Sequence, residues 1–187
     1  MADVPVRARH ISVPEPAEAW AALGFDVDAF TVGGVAIVPG ADELAVGAAG
    51  LARERPDGLP ILHADGDAGP ATHPNGARAV DHVVALTDSL PRTTGALEAA
   101  GFELRRVAGP MAFFRFGPCI LELVERGKAP GLWGVVFMVD ELDGLPLTGE
   151  PRDAVQPGRR IATVGRAAGL TTAVAFMTPR PQPGGAG

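Results

Sequence analysis

Asp81-His82-Val83-Val84-Ala85-Leu86 opens the stretch that decides the fold, and Ala99-Ala100-Gly101-Phe102-Glu103-Leu104 closes its first half. The opening run is apolar and β-branched around one histidine, the pattern of a buried strand. Residues 91–100 then read as a helix with Pro91 in its first turn, where a missing N–H costs nothing. Gly101 supplies the left-handed position just past the helix end. The same order occurs earlier in the chain. Arg9-His10-Ile11-Ser12-Val13 leads to a helix-like stretch over 16–23, with Pro16 at its start, and then to Ala22-Leu23-Gly24-Phe25-Asp26-Val27. Two strand–helix–Gly-Phe units indicate an internal repeat.

The match extends further. Val32-Gly33-Gly34-Val35-Ala36-Ile37-Val38 aligns with Phe116-Gly117-Pro118-Cys119-Ile120-Leu121-Glu122, each a turn inside a β-hairpin. Asp-Gly-Leu-Pro occurs twice, starting at Asp57 and at Asp143, in register with those matches. A third segment begins at Leu132-Trp133-Gly134-Val135-Val136-Phe137-Met138-Val139, a buried strand bounded by turn residues. It continues through a short helix or turn over 141–147. A hairpin then pivots on Gln156-Pro157-Gly158, and strands are expected over 160–164 and 172–177. Residues 66–78, rich in Gly, Pro, Asp and Ala, read as a linker or long surface loop, and 179–187 as a disordered tail.

Composition narrows the function classes. Hydrophobic residues make up 47% and charged residues 20%, which excludes wholesale disorder. Gly 25 and Pro 18 lie mostly between apolar runs, so many short elements are expected and not a helical bundle. A net charge of -6 argues against general nucleic-acid binding. The basic pairs Arg105-Arg106 and Arg159-Arg160 lack the interleaved aromatics of a base-stacking platform. Cys119 is alone, so no intrachain disulfide and no thiolate zinc cluster can form. The N-terminal residues lack the apolar core of a secretion signal, and no apolar run is long enough to span a bilayer. The chain is read as cytoplasmic.

Tandem strand–helix–hairpin units, with His82 early in a first strand and Leu121-Glu122-Leu123 later, resemble the vicinal oxygen chelate superfamily. This is the group of glyoxalase, bleomycin resistance protein and dioxygenase-like proteins. The resemblance covers 79–178 as a complete domain and 1–65 as a partial module. The stretch 149–163 is similar to a group of bacterial glyoxalase-like proteins. It implies an α+β fold in which repeated βαβββ modules form curved mixed sheets around a small-molecule cleft. The N-terminal segment is expected to be one such unit followed by a strand-poor remnant of another.

Metal-dependent relatives hold a divalent ion (zinc, nickel, iron or manganese) with four side chains, an early His and a late Glu being the typical donors. By that resemblance His82 and Glu122 are the candidate catalytic and metal-binding residues. The other two positions fall near Trp133 and near Phe176 or Met177, none of which can replace an imidazole or carboxylate. The implied site is therefore incomplete, and a metal-free protein binding a small organic molecule is the leading expectation. The alternative is a metal-dependent lyase, isomerase or dioxygenase, and His10 or a second copy in a homodimer could supply further ligands. From the residues themselves, Glu122 shares a strand face with Ile120 and Val124, and a carboxylate among apolar neighbours must be paired, coordinated or functional. A His82–Glu122 pair could act as a general base beside a carbonyl, whereas a lone histidine in an apolar strand is often only packed. Trp133 and Phe114 are assigned to the ligand pocket, with Gln156 adding a neutral hydrogen bond. Of Arg159 and Arg160, one is expected to face solvent and one the cleft, and Arg160 is assigned the ligand.

Overall fold

The computed structural model describes residues 5–181; the first residues of the chain, and the part of the expected tail over 182–187, lie outside the described residues. The N-terminal part runs β1 (Arg7–Val13), α1 (Ala17–Ala21), β2 (Thr31–Val32), β3 (Val35–Pro39), β4 (Ala45–Ala49), a 3-10 turn at Pro56–Gly58 and β5 (Ile61–His63). These strands form one sheet in the order β2-β3-β1-β4-β5. The rest runs β6 (Ala79–Thr87), α2 (Leu90–Ala99), β7 (Glu103–Ala108), β8 (Met111–Phe116), β9 (Cys119–Glu125) and β10 (Gly131–Met138). It continues with β11 (Arg152–Asp153), β12 (Arg160–Thr163), a 3-10 turn at Arg166–Ala168 and β13 (Ala173–Met177). They form an eight-stranded sheet in the order β11-β12-β13-β10-β6-β9-β8-β7.

Pairing directions expose the repeat. β6 runs parallel to β9, which pairs antiparallel with β8, and β8 with β7, so 79–125 is a βαβββ unit. β10 runs parallel to β13, which pairs antiparallel with β12, and β12 with β11. That second unit has the same connectivity with turns in place of the helix. The two units join edge to edge through their antiparallel first strands, β6 and β10. The N-terminal sheet repeats the plan with its outer strands trimmed: β1 is parallel to β3, antiparallel to β4, and β4 is parallel to β5.

Both helices end as their glycines dictate. Gly24 and Gly101 have φ of 81° and 97°, and the residue after each donates its N–H back across the last turn, Phe25 to Trp20 and Phe102 to Leu97. This left-handed closure turns Phe25 and Phe102 into the core. At the start of α2 the Ser89 side chain does not cap the helix. The Leu90 N–H donates instead to Glu125 at the end of β9, 2.7 Å away.

One core cluster draws on both sheets. Trp20 and Phe25 pack on Phe137, and Phe25 also on Phe176, of the large sheet, with Phe25 and Phe137 ring centroids 4.8 Å apart and Phe30 against Trp20 and Phe25. Aromatic contacts of this kind exceed simple area burial in worth. The stretch 66–78 is irregular, and its second half is pinned to the fold. His73 is buried between the Asp26 N–H and the Thr31 carbonyl, and Asn75 donates to the Leu23 carbonyl. Glu15, buried after β1, accepts hydrogen bonds from the backbone and hydroxyl groups of Thr171 and Thr172 just before β13. Among the described residues no helix is long and apolar enough to cross a membrane.

Candidate functional site

Because the N-terminal sheet covers one face of the large sheet, strand alternation leaves the other face to line a cleft. On β8, Ala112, Phe114 and Phe116 enter the core, while Met111, Phe113 and Arg115 face the other way. On β9, Cys119, Leu121 and Leu123 are core, and Ile120, Glu122 and Val124 are not. Two small apolar patches flank the cleft. Val84, Leu86, Val124 and Met111 form one, and Val136, Ala175, Met177 and Ile161 lie in the other. Between them lies a cavity of about 690 Å³ lined by Asp81, His82, Phe113, Glu122, Gln156 and Arg159 among others. It continues into a second lobe of about 620 Å³ that shares His82 and Glu122.

A β-bulge shapes the centre of this cleft. On β6, Val80 pairs with Phe137 and His82 with Val136, which leaves Asp81 as the extra residue. A bulge places two consecutive side chains where alternation would allow one, and Asp81 and His82 both line the cleft. Asp81 Oδ2 lies 2.8 Å from His82 Nδ1, and Arg159 reaches the other Asp81 oxygen at 2.5 Å. Arg159 Nε also donates to the Thr178 carbonyl at 2.7 Å. His82 is 7% exposed and Arg159 6%. Burial pushes the Asp81 carboxyl up, but hydrogen bonds and charge from His82 and Arg159 outweigh it and hold Asp81 below the usual carboxylate range. An ionised Asp81 only accepts, so Nδ1 of His82 carries the donated proton. The opposite nitrogen, Nε2, stands 3.4 Å from Glu122 Oε2.

His82 and Glu122 thus lie together on one face of the sheet, as the His–Glu pairing requires. Gln156 is also in the cleft. Other expected residues fall elsewhere. Phe114 is fully buried in the core, and its neighbour Phe113 faces the cleft in its place. Arg160 is exposed and donates to the Pro151 carbonyl, while Arg159 turns inward. Trp133 is 47% exposed and is not among the residues lining the cleft. Asp81 escaped the sequence reading because the bulge that turns it inward has no local signature. The only available signal was its place beside His82.

The bulges also correct the register of the metal positions. On β10 the extra residue is Trp133, between Leu132 opposite Ala85 and Gly134 opposite Val84. Trp133 therefore corresponds to Asp81, and Gly134 to His82. Glu122 pairs with Val84, and Ala175 pairs with Val136, so Ala175 corresponds to Glu122 in place of Phe176 or Met177. Gly134 has no side chain, and a Cβ there would collide with the Ala173 backbone. In the N-terminal sheet the extra residue is Arg9, which makes His10 the counterpart of His82 and Val38 that of Glu122. Only His82 and Glu122 of the cleft therefore offer metal donors at those positions. Among the described residues no group of three or more His, Cys, Asp or Glu is placed to hold an ion. Two donors fall short of the three that an open catalytic site uses, so the residues present do not fit a resident metal.

Two βαβββ-type units joined through their first strands around a shared cleft define the architecture, the α+β arrangement of repeated modules that the sequence resemblance implies. Among solved structures it is similar to methylmalonyl-CoA epimerase from Mycobacterium tuberculosis, at 13% identity over 57% of this chain and 91% of that one, with a TM-score of 0.47. It is also similar to the Streptomyces coelicolor methylmalonyl-CoA epimerase in complex with 2-nitronate-propionyl-CoA, at 18% identity over 55% of this chain and 97% of that one, with a TM-score of 0.43. No protein-family model and no curated protein matches the sequence.

Proposed function

We propose that this protein binds a small organic anion in the cleft of the large sheet, with an apolar body on the two hydrophobic patches and its charge on the rim. The observation that carries this reading is the charge distribution around the cavity. Arg106, Arg152 and Arg180 line it, and among the described residues none of them has a carboxylate partner. In a chain of net charge -6, guanidinium groups left unneutralised around one concavity favour an anion. Arg106 is also stacked over the Phe113 ring, 4.7 Å from its centroid, which holds its guanidinium over the cleft. Gln156 adds a neutral donor and acceptor at the junction of the two lobes.

Titration calorimetry with a panel of short monocarboxylates, dicarboxylates and phosphate monoesters tests the reading. Saturable binding that weakens more than about tenfold in Arg106→Ala/Arg180→Ala, the loss of about 1.4 kcal/mol, is the expected result. Absence of saturable binding across the panel, or binding indifferent to both arginines, refutes it.

A further inference from the structure

The cleft floor carries a charged side chain that the protein itself leaves without a partner. Of the three carboxylates lining the two lobes, Asp153 stands exposed on the edge strand β11, and Asp81 is held by Arg159 and His82. Glu122 has no such support. Its side chain is 17% exposed, and among the described residues its only polar neighbour is His82 Nε2, 3.4 Å from Oε2. Whatever that nitrogen carries, Oε1 has no donor among the described residues. The surroundings are apolar. Glu122 stands directly across from Phe113 of β8 and Val84 of β6, with Ile120 and Val124 on its own face of β9. A carboxylate so placed is costly until a donor or cation reaches it.

The same row of the sheet supplies the opposite charge. Arg106 pairs with Phe113, and Phe113 with Glu122, so the three side chains stand in line on the cleft face across β7, β8 and β9. Arg106 and Glu122 are thus two strand spacings apart, roughly 9.5 Å between Cα atoms. The guanidinium lies over the Phe113 ring, 4.7 Å from its centroid, and makes no ion pair with Glu122. A free cation and a free anion therefore flank one aromatic ring.

We infer that the cleft takes a zwitterion, a short-chain amino acid whose carboxylate meets Arg106 and whose ammonium meets Glu122, with the methylenes between them on Phe113. This rests on the anion-binding reading above and adds the second charge. Charge-assisted hydrogen bonds at both ends would satisfy the two groups that the fold leaves unpaired. In an α-amino acid both charged groups sit on one carbon and cannot span the ring, so the amine must stand several carbons from the acid.

The test is titration calorimetry on the full chain at pH 7, where amine and carboxylate are both ionised, with 5-aminopentanoate, pentanoate and 2-aminopentanoate. 5-Aminopentanoate should bind at least about tenfold tighter than pentanoate, and 2-aminopentanoate no tighter than pentanoate. In Glu122→Gln, which keeps the side-chain shape, that preference should fall to within about twofold while pentanoate binds at least as well as before. Arg106→Ala should weaken 5-aminopentanoate and pentanoate by similar factors. Thermal melting confirms that each variant is folded, and the comparison among the three acids needs only the unmodified chain. Equal affinity for pentanoate and 5-aminopentanoate, an equal gain for 2-aminopentanoate, or a preference undiminished in Glu122→Gln overturns the zwitterion inference alone. So does failure of 5-aminopentanoate to bind where another anion of the panel above does. Failure of every acid and phosphate monoester to bind overturns it together with the anion-binding reading.

Discussion

Replacing Arg159 by methionine is the most demanding test of how the site is held together. The substitution keeps much of the stem and removes the guanidinium from a pair whose side chains are 6% and 11% exposed. Asp81 would lose its bonds from both terminal nitrogens of Arg159, and the Thr178 carbonyl would lose its donor. Breaking a buried pair by removing one partner costs roughly 3–5 kcal/mol, since the remaining charge is left uncompensated. Asp81 keeps His82, so the lower end is expected, about 3 kcal/mol at pH 7. For a chain of this size that lowers the melting midpoint by roughly 6–12 °C. The pH dependence follows from the direction of the Asp81 shift. Its carboxyl lies below the usual range in the folded protein, so the pairing stabilises above the unfolded carboxylate pKa and fades as pH falls through the folded one. Without Arg159, burial raises Asp81, which can then take up a proton as the solution is acidified. The difference between the two proteins should accordingly be full at neutral pH and shrink towards acid. Urea unfolding at a series of pH values measures it, and Asp81→Leu in the Arg159→Met background should recover part of the loss. A difference under about 0.5 kcal/mol at pH 7, or one constant with pH, would refute the buried-pair account.

Three further outcomes follow from the same packing. Glu15→Gln should cost about 1–3 kcal/mol at pH 7 by disturbing the four bonds from Thr171 and Thr172. Burial pushes Glu15 up, yet those bonds outweigh it and hold it below the usual range, so its contribution should vanish as pH drops through the folded value; denaturant unfolding at neutral and acid pH reads both effects. Phe114→Ala should destabilise by about 3–5 kcal/mol, whereas Phe113→Ala should leave the urea midpoint nearly unchanged and weaken anion binding; equal destabilisation would contradict the strand alternation. Burial pushes the Cys119 thiol up to about 12, so the native protein should resist thiol reagents at pH 8 and react only when unfolded, as a time course with and without denaturant will show.

The repeat was legible because its signals are local. A β-branched run with one histidine, a helix closed by glycine and a following Phe are readable residue by residue, and the structure places both Gly24 and Gly101 in the left-handed region. The two Asp-Gly-Leu-Pro turns also match, with Gly58 and Gly144 at φ of 80° and 77°. Alternation on β9 likewise sets Glu122 on the face opposite Leu121 and Leu123. What failed depended on relations between strands. Phe113 and Phe114 are adjacent aromatics, and only the docking of the N-terminal sheet decides which of them is core. Arg159 and Arg160 differ in nothing local, and only the reach to Asp81 turns the first inward.

The sequence by itself determined the architecture, since periodicity, turn residues and internal repetition are written along the chain. Tertiary structure decided the site. A bulge shifts register by one residue, and a shift of one exchanges the two faces of a strand. The bulge in β6 brings Asp81 beside His82, and the one in β10 makes Trp133 the extra residue and puts Gly134, with Ala175 beyond it, where further ligands would stand. Bulge position depends on which partner strand is present and how it pairs, so no local stretch encodes it alone.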